Sequence, residues 1–101
     1  MRLRNRTHRT IPAGIRSSLL EAAELRHRQL IDLRRTPRDR ESAVAAAHRR
    51  SVERILREVL DALDRLDDGS FGTCQGCAAL IPLERLQRRP WDTHCGGCLQ
   101  P

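Results

Sequence analysis

The residues of this chain best suited to chemistry are its four cysteines. They form two Cys-x-x-Cys knuckles, Cys74-Gln75-Gly76-Cys77 and Cys95-Gly96-Gly97-Cys98, with seventeen residues between them. A two-residue gap sets two sulfurs on one side of a tight loop, so two knuckles close a tetrahedron around one Zn²⁺ with Zn–S distances of about 2.3 Å. Gly76, Gly96 and Gly97 are expected to supply the positive φ that such loops need. Four thiolates leave no open coordination position. The zinc is therefore expected to be structural rather than water-activating, and no enzyme is expected to be built on it. Two alternatives use the same sulfurs. Paired disulfides need an oxidising compartment, and Met1-Arg2-Leu3-Arg4-Asn5-Arg6 lacks the apolar stretch of a secretory leader. A redox dithiol uses one knuckle at a helix start in a βαβ setting, not two in a Gly-rich tail. His94, next to Cys95, is an alternate ligand should a cysteine be lost. No Ser/His/Asp arrangement or phosphate-binding loop is visible.

The elements that must position these cysteines are constrained by composition. The only aromatic residues are Phe71 and Trp91, so a compact globular core is hard to build. Charged residues make up 32% and the apolar residues are mostly Leu, Ala, Ile and Val, which is a long-helix composition. All 19 basic side chains are arginine and the formal charge is +6; four thiolates and one Zn²⁺ would lower it to +4. A basic balance points to nucleic acid or an acidic protein surface as partner. With no apolar run of about 18 residues, no membrane span is predicted and the expected location is cytoplasmic.

Residues 1–17 read as a flexible basic arm with Arg2, Arg4, Arg6, His8 and Arg9. The arm is either a solvated tail or a phosphate-contacting segment; it carries no aromatic side chain for base stacking. Residues 18–68 read as a helical hairpin. Ser18-Leu19-Leu20-Glu21 is a capping box, followed by Leu19, Leu20, Ala23, Leu30, Ile31 and Leu33. Pro37 disfavours the α region at Thr36 and stops this helix near Arg35. Thr36 then serves as N-cap, Pro37 as first helical residue and Asp39 as first-turn acid of a second helix. Val44, Ala47, Val52, Leu56, Val59, Leu63 and Leu66 continue it, with a heptad seam from Val52. Glu53–Arg57 and Asp61–Arg65 are spaced as flanking ion pairs, and Gly69 is the stop. The spacing thus predicts helices over 18–35 and 37–67, about 27 and 46 Å long. A hairpin is preferred to one helix kinked at Pro37, because each helix has one apolar stripe and no other large surface exists to cover it. The unequal arms leave the lower part of the second helix needing a partner, either the zinc module or residues 1–17. His27 and His48 read as surface or seam residues.

Residues 69–101 read as the zinc module. Leu80, Ile81, Leu83 and Leu86 form a small apolar cluster, and Glu84 to Gln87 one helical turn ended before Pro90. A segment of about thirty residues cannot bury enough surface to fold alone, so the metal supplies the missing stabilisation. Arg85, Arg88 and Arg89 either compensate a formally dianionic zinc–thiolate centre or touch a partner or phosphate.

The order Phe71-Gly72, Cys74-x-x-Cys77, Ile81, Arg85, Pro90, Cys95-x-x-Cys98, behind Asp67-Asp68-Gly69-Ser70, resembles the DksA/TraR family of C4 zinc-finger transcription factors over residues 67–98. The preceding hairpin extends the resemblance in architecture to residue 18. It implies a mainly α fold, an antiparallel coiled-coil hairpin followed by a C-terminal four-cysteine zinc finger. It also implies binding to RNA polymerase, with the coiled coil in the secondary channel, an acidic tip near the active centre, initiation modulated, and ppGpp as a further partner. The family tip often reads Asp-x-x-Asp-x-Ala. With its alanine on Ala43, Glu41 stands at the second acid, Arg38 at the first, and Asp39 is a displaced acid. Asp39, Glu41 and Ala43 are therefore the tip candidates; read plainly, the two acids are ordinary helix N-terminal residues. The second helix is about one heptad, or about 10 Å, shorter than the family implies, and only Leu99-Gln100-Pro101 stand where the family has a further helix. Two alternatives stay open: a basic zinc protein that binds nucleic acid non-specifically through its arm and finger arginines, with steep salt dependence, and a helical adaptor that keeps the fold without polymerase activity.

Overall fold

A computed structural model describes residues 10–37 and 40–98. Most of the basic arm, Arg38, Asp39 and Leu99-Gln100-Pro101 lie outside the described residues. The order is α1 (Ala13–Leu33), α2 (Ala43–Asp68) and α3 (Leu83–Arg88). The described residues contain no extended strand; Thr73 and Leu80 form an isolated antiparallel bridge. No helix among them is long and apolar enough to cross a membrane.

α1 and α2 pack as an antiparallel hairpin, not as one kinked helix. The Arg16 guanidinium near the start of α1 donates to Asp67 at the end of α2 across 2.9 Å. The helix starts differ from the sequence expectation, and in each case tertiary burial or a different cap prevails. α1 begins at Ala13, so residues 13–17 belong to the helix and not to an arm. Its N-cap is Pro12, without a side-chain cap hydrogen bond, and exposed Ser18 lies inside the helix, where a capping box has no place. What carries the helix back is Ile15, which stands one turn before Leu19 and is buried with it.

α1 closes through Thr36, whose N–H donates to the Leu33 carbonyl at 3.3 Å. Pro37 lacks an N–H and cannot extend it. No α-helix starts at Pro37 itself: residues 34–42 form the connection, and Arg40 lies in a 3₁₀ turn, its N–H donating to the Pro37 carbonyl at 3.0 Å. α2 starts at Ala43 because Ser42, in extended conformation, accepts from the Ala45 N–H at 3.1 Å. Thr36 and Pro37 are thus not its cap and first residue. At 21 and 26 residues, the arms are about 31 and 39 Å long, closer in length than the sequence suggested. Gly69 ends α2 as expected, at φ 81°, its N–H donating to the Arg65 carbonyl.

The core lies at the open end of the hairpin. Ile15 and Leu19 of α1 and Val59 and Ala62 of α2 share one cluster with Phe71, Cys74, Ile81 and Leu86 of the C-terminal segment. The finger therefore covers the lower part of α2, with Ile11 packing alongside. Of the expected finger cluster, Ile81 and Leu86 are fully buried, but Leu80 is exposed, since it sits on the bridge to Thr73. Toward the tip the buried apolar side chains thin to Leu30 and Val52.

Candidate metal centre and hairpin tip

Each knuckle is held by backbone hydrogen bonds. In the first, the Ala78 N–H donates to the Cys74 carbonyl at 2.9 Å, and the Cys74 N–H to the Ala79 carbonyl at 2.8 Å. In the second, the Cys98 N–H donates to the Cys95 carbonyl at 3.1 Å. The Gln75 N–H, reaching the Thr93 carbonyl at 2.8 Å, ties the two together. All four sulfurs fall within 4.8 Å of one another. Cys77 Sγ and Cys95 Sγ are 3.7 Å apart, close to the edge of about 3.8 Å in a tetrahedron with metal–sulfur distances of about 2.3 Å. A disulfide needs about 2.05 Å, and all four cysteines are free. The site therefore has the donor set and spacing to hold one metal ion.

The glycines act otherwise than expected. Gly76, Gly96 and Gly97 do not take positive φ; in the first knuckle that conformation falls on Ala78, at φ 65°. Gly76 is needed for space, since a Cβ there would lie 3.2 Å from His94 Cδ2 and 3.3 Å from Cys98 Sγ. The thiols are unequal without metal. Burial works against a Cys74 thiolate, but hydrogen bonds from the backbone N–H groups of Cys95, Cys77 and Gly76 and from the Cys77 thiol bring it down to about 6. Cys98 is pushed up to about 12 by hydrogen bonding with Cys77, Cys74 and Cys95, with burial adding to the effect.

Around the sulfurs, Arg85 is committed within the chain. Its Nε donates to Asp92 at 2.8 Å, and the Asp92 side chain is only 6% exposed. The guanidinium thus sits beside the second knuckle, with Nη1 3.5 Å from where a Cβ on Gly96 would be. Sequence reading passed over Asp92; its signal was an acid just past Pro90, able to meet an arginine of the preceding helical turn. Arg88 and Arg89 are exposed and carry no side-chain hydrogen bond or ion pair among the described residues. His94 is half-buried, with Nδ1 2.8 Å from Thr93 Oγ1.

The hairpin tip lies at the other end. Ala43 opens α2 exposed, and Val44 beside it is 80% exposed. Glu41 is not free: its side chain, 9% exposed, accepts from Arg49, which also donates to Glu53 at 2.9 Å. Donating a hydrogen bond to the Glu41 carboxylate holds the Arg49 guanidinium above its ordinary range. Metal centre and tip are thus separate sites at opposite ends of one hairpin.

No protein-family model matches the chain. It is 38% identical over 45 residues to an uncharacterized protein of Aquifex aeolicus (strain VF5), covering 45% of this chain and 31% of that one. Over 64 residues it is 27% identical to the RNA polymerase-binding transcription factor DksA of Buchnera aphidicola subsp. Schizaphis graminum (strain Sg), covering 63% of this chain and 42% of that protein. The chain thus spans less than half the length of these relatives. It is also similar to transcription factor DksA2 from Pseudomonas aeruginosa, a solved structure, with 30% sequence identity and a TM-score of 0.45, over 79% of this chain and 67% of that one.

Proposed function

We propose that this chain is a member of the DksA/TraR family of four-cysteine zinc-finger proteins, a reading supported by its likeness to DksA and its four-sulfur cluster, and that it is a zinc-binding transcription regulator of RNA polymerase. In this reading Cys74, Cys77, Cys95 and Cys98 hold one structural Zn²⁺. The metal stabilises the finger, and the finger closes the open end of the hairpin. The hairpin is the probe. Two packed helices of about 10–12 Å each make a narrow rod that can enter a channel closed to a globular domain, so the hairpin enters the polymerase secondary channel and modulates initiation. The work is non-catalytic, and ppGpp enters only as a partner of the complex, with no residue assigned to it.

The observation that carries this reading is the joining of the four-sulfur cluster to the hairpin through one core: Cys74 packs with Ile15, Leu19, Val59 and Ala62. The tip departs from the acidic tip that the resemblance implies, because Glu41 is engaged by Arg49. Polymerase binding is therefore proposed to be kept, with the tip acting differently. A second reading, non-specific nucleic-acid binding through the finger, is favoured by exposed Arg88 and Arg89 alone.

The test is binding of the zinc-loaded chain to purified core RNA polymerase in competition with a known secondary-channel factor. Saturable binding that the competitor abolishes at moderate salt supports the proposal. No binding to polymerase, with salt-sensitive binding to DNA or RNA instead, refutes it.

A further inference from the structure

The hairpin tip is basic. Residues 34–41 contain four arginines and two acids, and one of those acids, Glu41, is tucked against Arg49. Arg34 closes α1, and Arg34, Arg35 and Arg40 are all exposed. The Arg40 N–H donates to the Pro37 carbonyl at 3.0 Å, which folds this arginine back within the connection that begins at Arg34. Arg34 and Arg40 have no side-chain hydrogen bond or ion pair among the described residues. Arg35 meets Asp32 only at 3.9 Å, with both side chains more than two-thirds exposed, and such a pair is worth little in water. Arg34 and Arg35 also sit at the negative end of the α1 dipole, but that interaction leaves their guanidinium donors open to an external anion.

We infer that Arg34, Arg35 and Arg40 form a cationic cap on the hairpin that binds the phosphodiester backbone of a nucleic acid. Guanidinium forks match phosphate oxygens in pairs. A convex end about two helices wide is too broad to sit in a major groove of about 12 Å, so it meets the backbone and not the base edges. The connection and the first turn of α2 hold no aromatic side chain, so the cap does not stack bases and has no sequence preference. The same lack argues against an acidic protein as occupant. Protein interfaces are anchored by buried aromatic and large apolar side chains, and among the described residues near the tip the exposed larger apolar side chains are Val44 and, one turn before Arg34, Ile31, neither of them aromatic. This inference does not depend on the polymerase reading, and its test contains no polymerase.

The experiment uses the zinc-loaded full chain and fluorescence anisotropy with two probes, a 20-nucleotide single-stranded RNA and a 20-base-pair DNA duplex, over a salt series. The variant R34Q/R35Q/R40Q is compared with R16Q/R54Q/R57Q, which removes equal charge at exposed positions away from both the tip and the finger. The tip variant is expected to lose about tenfold in affinity on at least one probe, with the magnitude of the salt slope falling by about 2 on the RNA or about 3 on the duplex, as three lost phosphate contacts require. Which probe responds tells single strand from duplex. Three results overturn the inference: unchanged binding by the tip variant on both probes, an equal loss in the control triple (a net-charge effect only), or tighter capture by the tip of a labelled polyglutamate peptide than of either nucleic acid. Circular dichroism and zinc content of both variants are expected to match the parent chain, because all six residues are exposed or half-exposed.

Discussion

Removing the metal should unfold the hairpin as well as the finger. The finger contributes Phe71, Cys74, Ile81 and Leu86 to the cluster that buries Ile15, Leu19, Val59 and Ala62 of the helices. If the finger unravels, Ile15, Leu19 and Val59 lose their cover. Burial of each such side chain is worth about 1.5–3 kcal/mol, so the three together lose up to about 4.5–9 kcal/mol. That is comparable to the whole stability of a small domain, about 5–15 kcal/mol. Toward the tip only Leu30 and Val52 remain as buried apolar side chains, too few to hold two helices against chain entropy. The assay is a titration with excess chelator, followed by ellipticity at 222 nm, which reports chiefly α1 and α2, and by the fluorescence of Trp91, the single tryptophan, in the finger. Both signals should change in one transition, and most of the helical ellipticity should go. A shift of Trp91 fluorescence with full ellipticity retained would refute the reasoning, since the hairpin would then be stable by itself.

Three further outcomes follow from particular residues. Asp92→Ala should destabilise the metal-loaded protein by about 1 kcal/mol, below the roughly 1.5–3 kcal/mol of a charge-assisted hydrogen bond because Arg85 is partly exposed; thermal melts should show Asp92→Asn less affected. Ala78 stands at φ 65° with its side chain exposed, so Ala78→Gly should be neutral or stabilising by up to about 1 kcal/mol, and Ala78→Val should lower Tm. Zinc retention should weaken as pH falls through the neutral range. The metal displaces thiol protons, and Cys98, pushed up to about 12 without metal, holds its proton throughout that range; competition with a colorimetric chelator at pH 6 and pH 8 should give the lower zinc occupancy at pH 6.

The cysteine spacing made the four-sulfur cluster legible, and the apolar stripes made the hairpin legible. The reach of each helix was not. Ser18-Leu19-Leu20-Glu21 is a sound local start signal, but Ile15 finds a buried place against residues remote in sequence, and that burial outweighs the cap. Pro37 fits a first helical position, yet Ser42 caps α2, and Glu41, just before the helix, reaches Arg49 within it. The heptad reading named Val52, Leu56, Val59, Leu63 and Leu66; it missed Ala62, fully buried where the finger comes close. The knuckle glycines were read for backbone freedom, whereas Gly76 serves close approach to His94 and Cys98. Except at Ser42, whose partner Ala45 is local, the deciding partner lies far along the chain or across the cluster, where local pattern carries no information.

The most direct test of the central claim is photocrosslinking from a photoreactive residue placed at Val44, an exposed tip position, in the zinc-loaded chain bound to core RNA polymerase. The account predicts crosslinks to polymerase segments lining the secondary channel, lost on addition of a competing channel factor. Crosslinks confined to the outer surface of polymerase, or none in a complex that still forms, would contradict it.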